Sequence, residues 1–217
     1  MGAITQRQSS AQFYRIIDGS ICLKSDSERD GYELFHAVNP TTKAEITYYI
    51  KRFEGLVGYL TAFERVDKPD KKVHGWQLTL SDADGNYCLS LPDKNAATSR
   101  VLKMLKSVDL AKELTIRVWR DTKGERPKTA IKFEQDGENV PQAYEKDELP
   151  APKERPNGQL DWSAQEDKLY ADAVEFGEWL PTVAQKVAQR HVDNDPLFTG
   201  PDVDAEPPEN PADDIPW

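Results

Sequence analysis

Aromatic and cationic residues alternate in three segments of this chain, and that alternation suits one kind of chemistry. Between 44 and 53, Thr47, Tyr49, Lys51 and Phe53 share one side of an extended backbone, with Ile46, Tyr48 and Ile50 on the presumed core side. Between 56 and 66, Val57, Tyr59, Thr61, Phe63 and Arg65 lie opposite Leu56, Gly58, Leu60 and Ala62. Between 114 and 120, Thr115, Arg117 and Trp119 oppose the aliphatic row Leu114, Ile116 and Val118. Rings that stack on bases, beside cations that neutralise phosphates, are what a surface for single-stranded nucleic acid needs. Tyr49, Lys51, Phe53, Tyr59, Phe63, Arg65, Arg117 and Trp119 are therefore the candidate contacts. Trp76 shares a side with Leu78 and Leu80, which points to the core, although a barrel rim would expose it. Lys71, Lys72 and Lys123 stand in polar loops that could grip a strand. The competing reading is plain: aromatics are good strand formers that fill cores, and loop lysines are commonly only solvated.

Catalytic chemistry finds little to work with. The phosphate-cradling G-x-x-x-x-G-K-[ST] and G-x-G-x-x-G patterns and the nucleophile elbow G-x-S-x-G are absent from the sequence. His36, His74 and His191 lack H-E-x-x-H spacing, and no pairing of them with Cys22 and Cys88 has the spacing of a zinc site. Asp67, Asp70, Asp82 and Asp84 fall in strand turns, where aspartate serves turn geometry. A binding protein without cofactor or metal is expected, not an enzyme.

The elements that must position these residues are mostly strands. Phe13–Ile17 and Ser20–Lys24 flank Asp18-Gly19, a hairpin signal. Strands are expected over Tyr32–Val38, Ala44–Phe53, Leu56–Val66, Val73–Leu80 and Asn86–Leu91. Ala97, Val101, Met104, Leu105 and Val108 then recur at helical spacing. Strands return at Leu114–Arg120 and Lys128–Phe133. Strands, one helix, then two more strands is the order of a mainly β, OB-like five-stranded Greek-key barrel, whose helix lies between its third and fourth strands. An SH3-like barrel or a plain sandwich would also accommodate it.

Charge divides the chain. Of 217 residues with a net charge of −10, residues 1–135 carry 22 Lys and Arg against 18 Asp and Glu, and 136–217 carry 6 against 20. The expected organisation is a nucleic-acid-binding domain over 1–135 and a proline-punctuated linker over 136–162. An amphipathic helix over 163–192 follows, opened by Ser163 and Glu166 and kinked at Pro181, and then an acidic tail over 193–217. The helix stripe of Leu169, Ala173, Phe176, Leu180, Val183, Ala184 and Val187 must bury itself on the barrel, on another copy, or on a partner. With two cysteines, no run of 18 apolar residues and no secretory pattern, a cytoplasmic protein is expected and a membrane span is not.

The tail holds eight acidic residues, six prolines and no Lys or Arg, a composition expected to stay disordered. Yet it ends Asp213-Asp214-Ile215-Pro216-Trp217. Apolar groups at such a tip suit a pocket on another protein: Ile215 and Trp217 as anchors, Pro216 limiting chain entropy, Asp213 and Asp214 meeting cations around the rim.

This ending resembles the acidic tip of bacterial single-stranded-DNA-binding proteins, which typically finish Asp-Asp-Asp-Ile-Pro-Phe, and the aromatic-ended acidic tails of their phage counterparts. Ala212 and Trp217 depart from the bacterial pattern, and the Gly/Gln-rich linker of that family is absent. The phage type is the closer likeness. The resemblance implies sequence-independent binding of single-stranded DNA by the barrel, during replication, recombination and repair in an infected bacterial host. It also implies recruitment of replication and repair proteins by the tip, a tail that could compete with DNA, and a possible homo-oligomer. The alternative is an acidic interaction protein that copies the tip to recruit or inhibit replication factors without binding DNA.

Overall fold

The computed structural model describes residues 11–38, 42–68, 73–124, 127–145 and 147–194, with backbone alone at 68, 73 and 185–194. The chain is mainly β. The first seven strands are β1 (Gln12–Ile17), β2 (Ser20–Ser25), β3 (Glu33–Val38), β4 (Glu45–Phe53), β5 (Gly55–Lys68), β6 (Val73–Ser81) and β7 (Asn86–Pro92). Helix α1 (Ala96–Met104) and a 3-10 turn (Leu105–Ser107) lead to β8 (Leu114–Asp121) and β9 (Lys128–Gln135). The two-residue strands β10 (Glu138–Asn139), β11 (Lys153–Glu154) and β12 (Leu160–Asp161) precede helix α2 (Ser163–Asn194).

Turn chemistry sets these boundaries. Asp18 (φ 47°) and Gly19 (φ 73°) make the β1–β2 turn in the left-handed region, where Asp and Gly are tolerated. Gly19 has a second reason to be glycine: a Cβ there would lie 2.7 Å from the backbone N and the Cβ of Arg120. The Asp82 side chain accepts the N–H groups of Asp84 (2.7 Å) and Gly85 (3.0 Å) in the β6–β7 turn. Asn95 caps α1, its side chain accepting the Ala97 N–H at 2.8 Å.

Ten strands form one mixed sheet in the order β10-β9-β8-β5-β6-β7-β1-β2-β4-β3. Among the described residues the one parallel pairing is β1 with β7. β3 and β10 are its two ends, so the sheet is not closed. The expected five-stranded closed barrel is thus replaced by a larger open sheet. The physical reason is visible in β7, whose outer edge pairs with the N-terminal hairpin. β5 is the pivot: Gly55–Gly58 pair with β8, and Tyr59–Lys68 pair with β6.

The core forms where the sheet bends around α1 and α2. Trp76, Leu78, Leu80, Leu89, Leu91, Ile116, Ile131 and Phe133 meet Val101, Leu102 and Leu105, all at most 2% exposed. The stripe Leu169, Ala173, Phe176 and Leu180 of α2 joins the same core. Residues of this kind contribute about 1.5–3 kcal/mol each when fully buried. The helix lies so close to β5 that a Cβ at Gly177 would collide with the Phe63 carbonyl oxygen. α2 runs continuously through Pro181, which leaves the Gly177 carbonyl without its usual donor four residues on. Residues 136–162 also touch the body: Val140 is buried, the Ala143 N–H donates to the Lys103 carbonyl at 2.7 Å, and Tyr144 donates to Asp172 at 2.9 Å. No described helix is long and apolar enough to cross a membrane.

Candidate nucleic-acid interface

β8 alternates as its sequence requires. Leu114, Ile116 and Val118 are buried, and Arg117 and Trp119 face outward. Trp119 is 40% exposed, unusual for so large a ring. Its cross-strand neighbour on β9 is Ala130, too small to cover it, and Arg117 pairs in register with Lys132. Trp119, Arg100 and Lys132 line an open cleft of about 440 Å³ with Asn139, Met104, Phe133 and Val140. An aromatic face between cations on a rigid strand pair can stack one base and neutralise the flanking phosphates.

Glu134 tempers this surface. It accepts the Lys132 ammonium at 2.5 Å and Arg117 Nε at 2.8 Å. Chiefly the Lys132 hydrogen bond, and then Arg117, hold its carboxyl below the usual range, against the opposing pull of desolvation. A depressed carboxyl favours the ion pairs above the ordinary carboxylate range, and the pairs are lost as pH falls through the depressed value. At neutral pH the two cations are therefore partly spent. Glu134→Gln should free them: affinity for oligo-dT is expected to rise a few-fold, with a salt dependence steeper by about 0.7 in log–log slope per charge gained. Salt-titrated anisotropy checks this, and an unchanged slope would show that Arg117 and Lys132 do not meet phosphates.

The other sequence-derived candidates separate into three groups. Lys51 is exposed, Tyr49 and Tyr59 are half-buried, and Lys123 is exposed in the β8–β9 loop, where its N–H meets Asp121 at 3.1 Å. A second group is engaged by partners within the protein, and two of its rings are buried. Phe63 (1% exposed) and Trp76 (2%) stack on each other, ring centroids 5.2 Å apart and 14° from parallel. Neither ring has a face to offer a base. Arg65 lies 5.1 Å from the Trp76 ring and 5.2 Å from that of Tyr170 on α2, and holds Asp93 through two bonds of 2.5 and 2.6 Å. Phe53 packs edge-on against Tyr14 at 5.3 Å. The third group, Lys71, Lys72 and the tip Asp213, Asp214, Ile215, Pro216 and Trp217, lies outside the described residues.

The change of side at Phe63 and Arg65 has a definite cause. Leu60 pairs with Leu80 but Ala62 pairs with Thr79, so Thr61 is an extra residue in β5. Such a bulge swaps the sides of everything after it. Thr61 meets Ser81 Oγ at 2.9 Å there. Simple alternation places Phe63 with Tyr59; the bulge places it with Leu60.

Sequence reasoning passed over Arg100 and Lys132. The signal for Lys132 was present: β9 alternates buried Ile131 and Phe133 with Ala130, Lys132 and Glu134. Arg100 is brought to Trp119 only by the packing of α1 on the sheet. Among the described residues no three His, Cys, Asp or Glu side chains gather as a metal site, and Cys22 and Cys88 are buried free thiols. No family model, no curated protein and no solved structure matches the chain.

Proposed function

We propose that this chain binds single-stranded DNA without sequence preference, as a phage-type binding protein of replication, recombination and repair. The observation that carries the reading is Trp119, uncovered on a rigid strand beside Arg117, Lys132 and Arg100. The connectivity of β5 to β9 supports it. One long strand shared by two half-sheets, two antiparallel strands, a helix, then two more strands is the order of an OB barrel, here in open form. In that scheme the β5–β6 and β8–β9 connections, with Lys71, Lys72 and Lys123, are the loops that flank a bound strand. The reading is of a binding protein and not an enzyme, acting in the bacterial cytoplasm. Its Asp-Asp-Ile-Pro-Trp tip recruits replication proteins.

The test is a fluorescence titration with oligo-dT at low and high salt, on the full chain and on a chain ending at Asn194. Saturable quenching that weakens with salt is the expected result. The shorter chain should bind more tightly, because a tethered acidic tail competes with DNA at an effective concentration of the order of mM. Absence of binding by both chains would overturn strand binding and leave the tip as bait for another protein.

A further inference from the structure

The N-terminal strands carry a cluster of rings and cations that the surface around Trp119 does not use. We propose that one face of the β1-β2-β4-β3 subsheet is a second binding surface for the same single-stranded nucleic acid. The proposal rests on the function proposed above. Six residues make the surface: Phe13, Arg15, Lys24, Phe35, Tyr48 and Arg52.

The register puts them on one side. Residues directly opposite in an antiparallel pair point to the same face. Arg15 faces Cys22, which faces Arg52, and this forms one row. Lys24 faces Ile50 one step along, and Tyr48 faces Phe35 one step further. Side-chain contacts agree. The Lys24 ammonium stands 4.4 Å from the centre of the Tyr48 ring, and the Arg52 guanidinium 5.8 Å from that of Phe35. The two rings are 5.5 Å apart. Cys22 and Ile50, both 0% exposed, form an apolar floor, and Phe13 stands 58% exposed beside it. Carboxylates are few: Glu33 holds Arg52 at 2.5 Å, and Asp26 reaches Lys24 at 3.7 Å. Arg15 makes no ion pair with a described residue, so its charge is available.

This composition fits a nucleic-acid strand better than a protein. The centre of a protein interface is depleted of Lys, whereas cations interleaved with open rings are what a single strand requires. Location also favours it. The β1–β2 turn touches β8 one residue from Trp119: Arg120 holds Asp18 at 2.6 Å, and Gly19 packs on the Arg120 backbone. Arg52 donates to Ser20 Oγ at 3.2 Å beside that turn. The turn that begins the second surface thus packs on the strand that carries Trp119, and one nucleic-acid strand long enough can engage both.

The experiment uses the full chain and labelled oligo-dT of two lengths. One is about 8 nucleotides, short enough for a single binding surface, and the other about 30. Two variants, Phe13→Ala and Arg15→Ala/Lys24→Ala, change exposed side chains only. Each should weaken binding of the long oligonucleotide about tenfold and leave the short one unchanged. The double variant should also lower the log–log salt slope on the long oligonucleotide by about 1.4, two cations at about 0.7 each. Wild-type affinity for the long oligonucleotide in both variants would overturn the proposal. So would an equal loss on both lengths, which would mean a single surface. A wild-type chain that binds neither length would sink strand binding itself, and this surface with it.

Discussion

Trp119→Ala should lower affinity for oligo-dT by about five- to a hundredfold, the equivalent of the roughly 1–3 kcal/mol that a stacked base gains from an aromatic platform. The same change should leave the unfolding midpoint nearly unmoved. The ring is 40% exposed, sits opposite Ala130 and lies on the outer row of β8, so little core packing is lost with it. Trp119→Phe should restore most of the affinity, since a smaller ring still stacks, while abolishing most of the fluorescence quenching. Trp76 is buried at 2% exposure and contributes little to quenching by a bound strand. Unchanged affinity in Trp119→Ala, measured by anisotropy, would remove the observation on which the proposed function stands.

Most of the strand pattern is legible in the sequence because turn residues mark it. Asp18-Gly19 and Asp82 through Gly85 end strands where they are expected to, and the switch from period two to helical spacing at Ala97 marks α1. Leu114, Ile116 and Val118 alternate inward as read, so Trp119 is found from sequence alone. Three features are not legible. The parallel pairing of β1 with β7 joins residues some 75 positions apart, and no local pattern announces it. The bulge at Thr61 is invisible to alternation, and it moves Phe63 from the presumed surface to the core and puts Arg65, still exposed, on that same side over the Trp76 ring. β4 lies near the end of the open sheet, where neither side is fully covered. Ile50 is buried on one side and Phe53 packs on Tyr14 on the other, so a single inward row misassigns Tyr48. The docking of α2 lies in between: its stripe requires a partner surface, and only the fold identifies β5 as that surface.

Phe63→Ala makes the sharpest contrast with Trp119→Ala, because alternation gives the two rings the same role. Phe63 is 1% exposed, stacked on Trp76, with its backbone carbonyl against Gly177 of α2. Removing a buried Phe ring leaves a cavity and costs about 3–5 kcal/mol. That is a large fraction of the 5–15 kcal/mol that typically separates folded from unfolded domains. Denaturant unfolding should show the midpoint falling with little change in slope, as expected when the native state is weakened and not expanded. Affinity for oligo-dT, corrected for the folded fraction, should stay at the wild-type value. The Trp76 ring stacks on Phe63 and meets Tyr170 edge-on, so near-ultraviolet circular dichroism should also change. The reverse outcome, wild-type stability with lost affinity, would mean that α2 does not cover this face in solution and that the strand runs across β5 and β6 instead. The two variants together therefore locate the binding face: affinity alone should follow Trp119, and stability alone should follow Phe63.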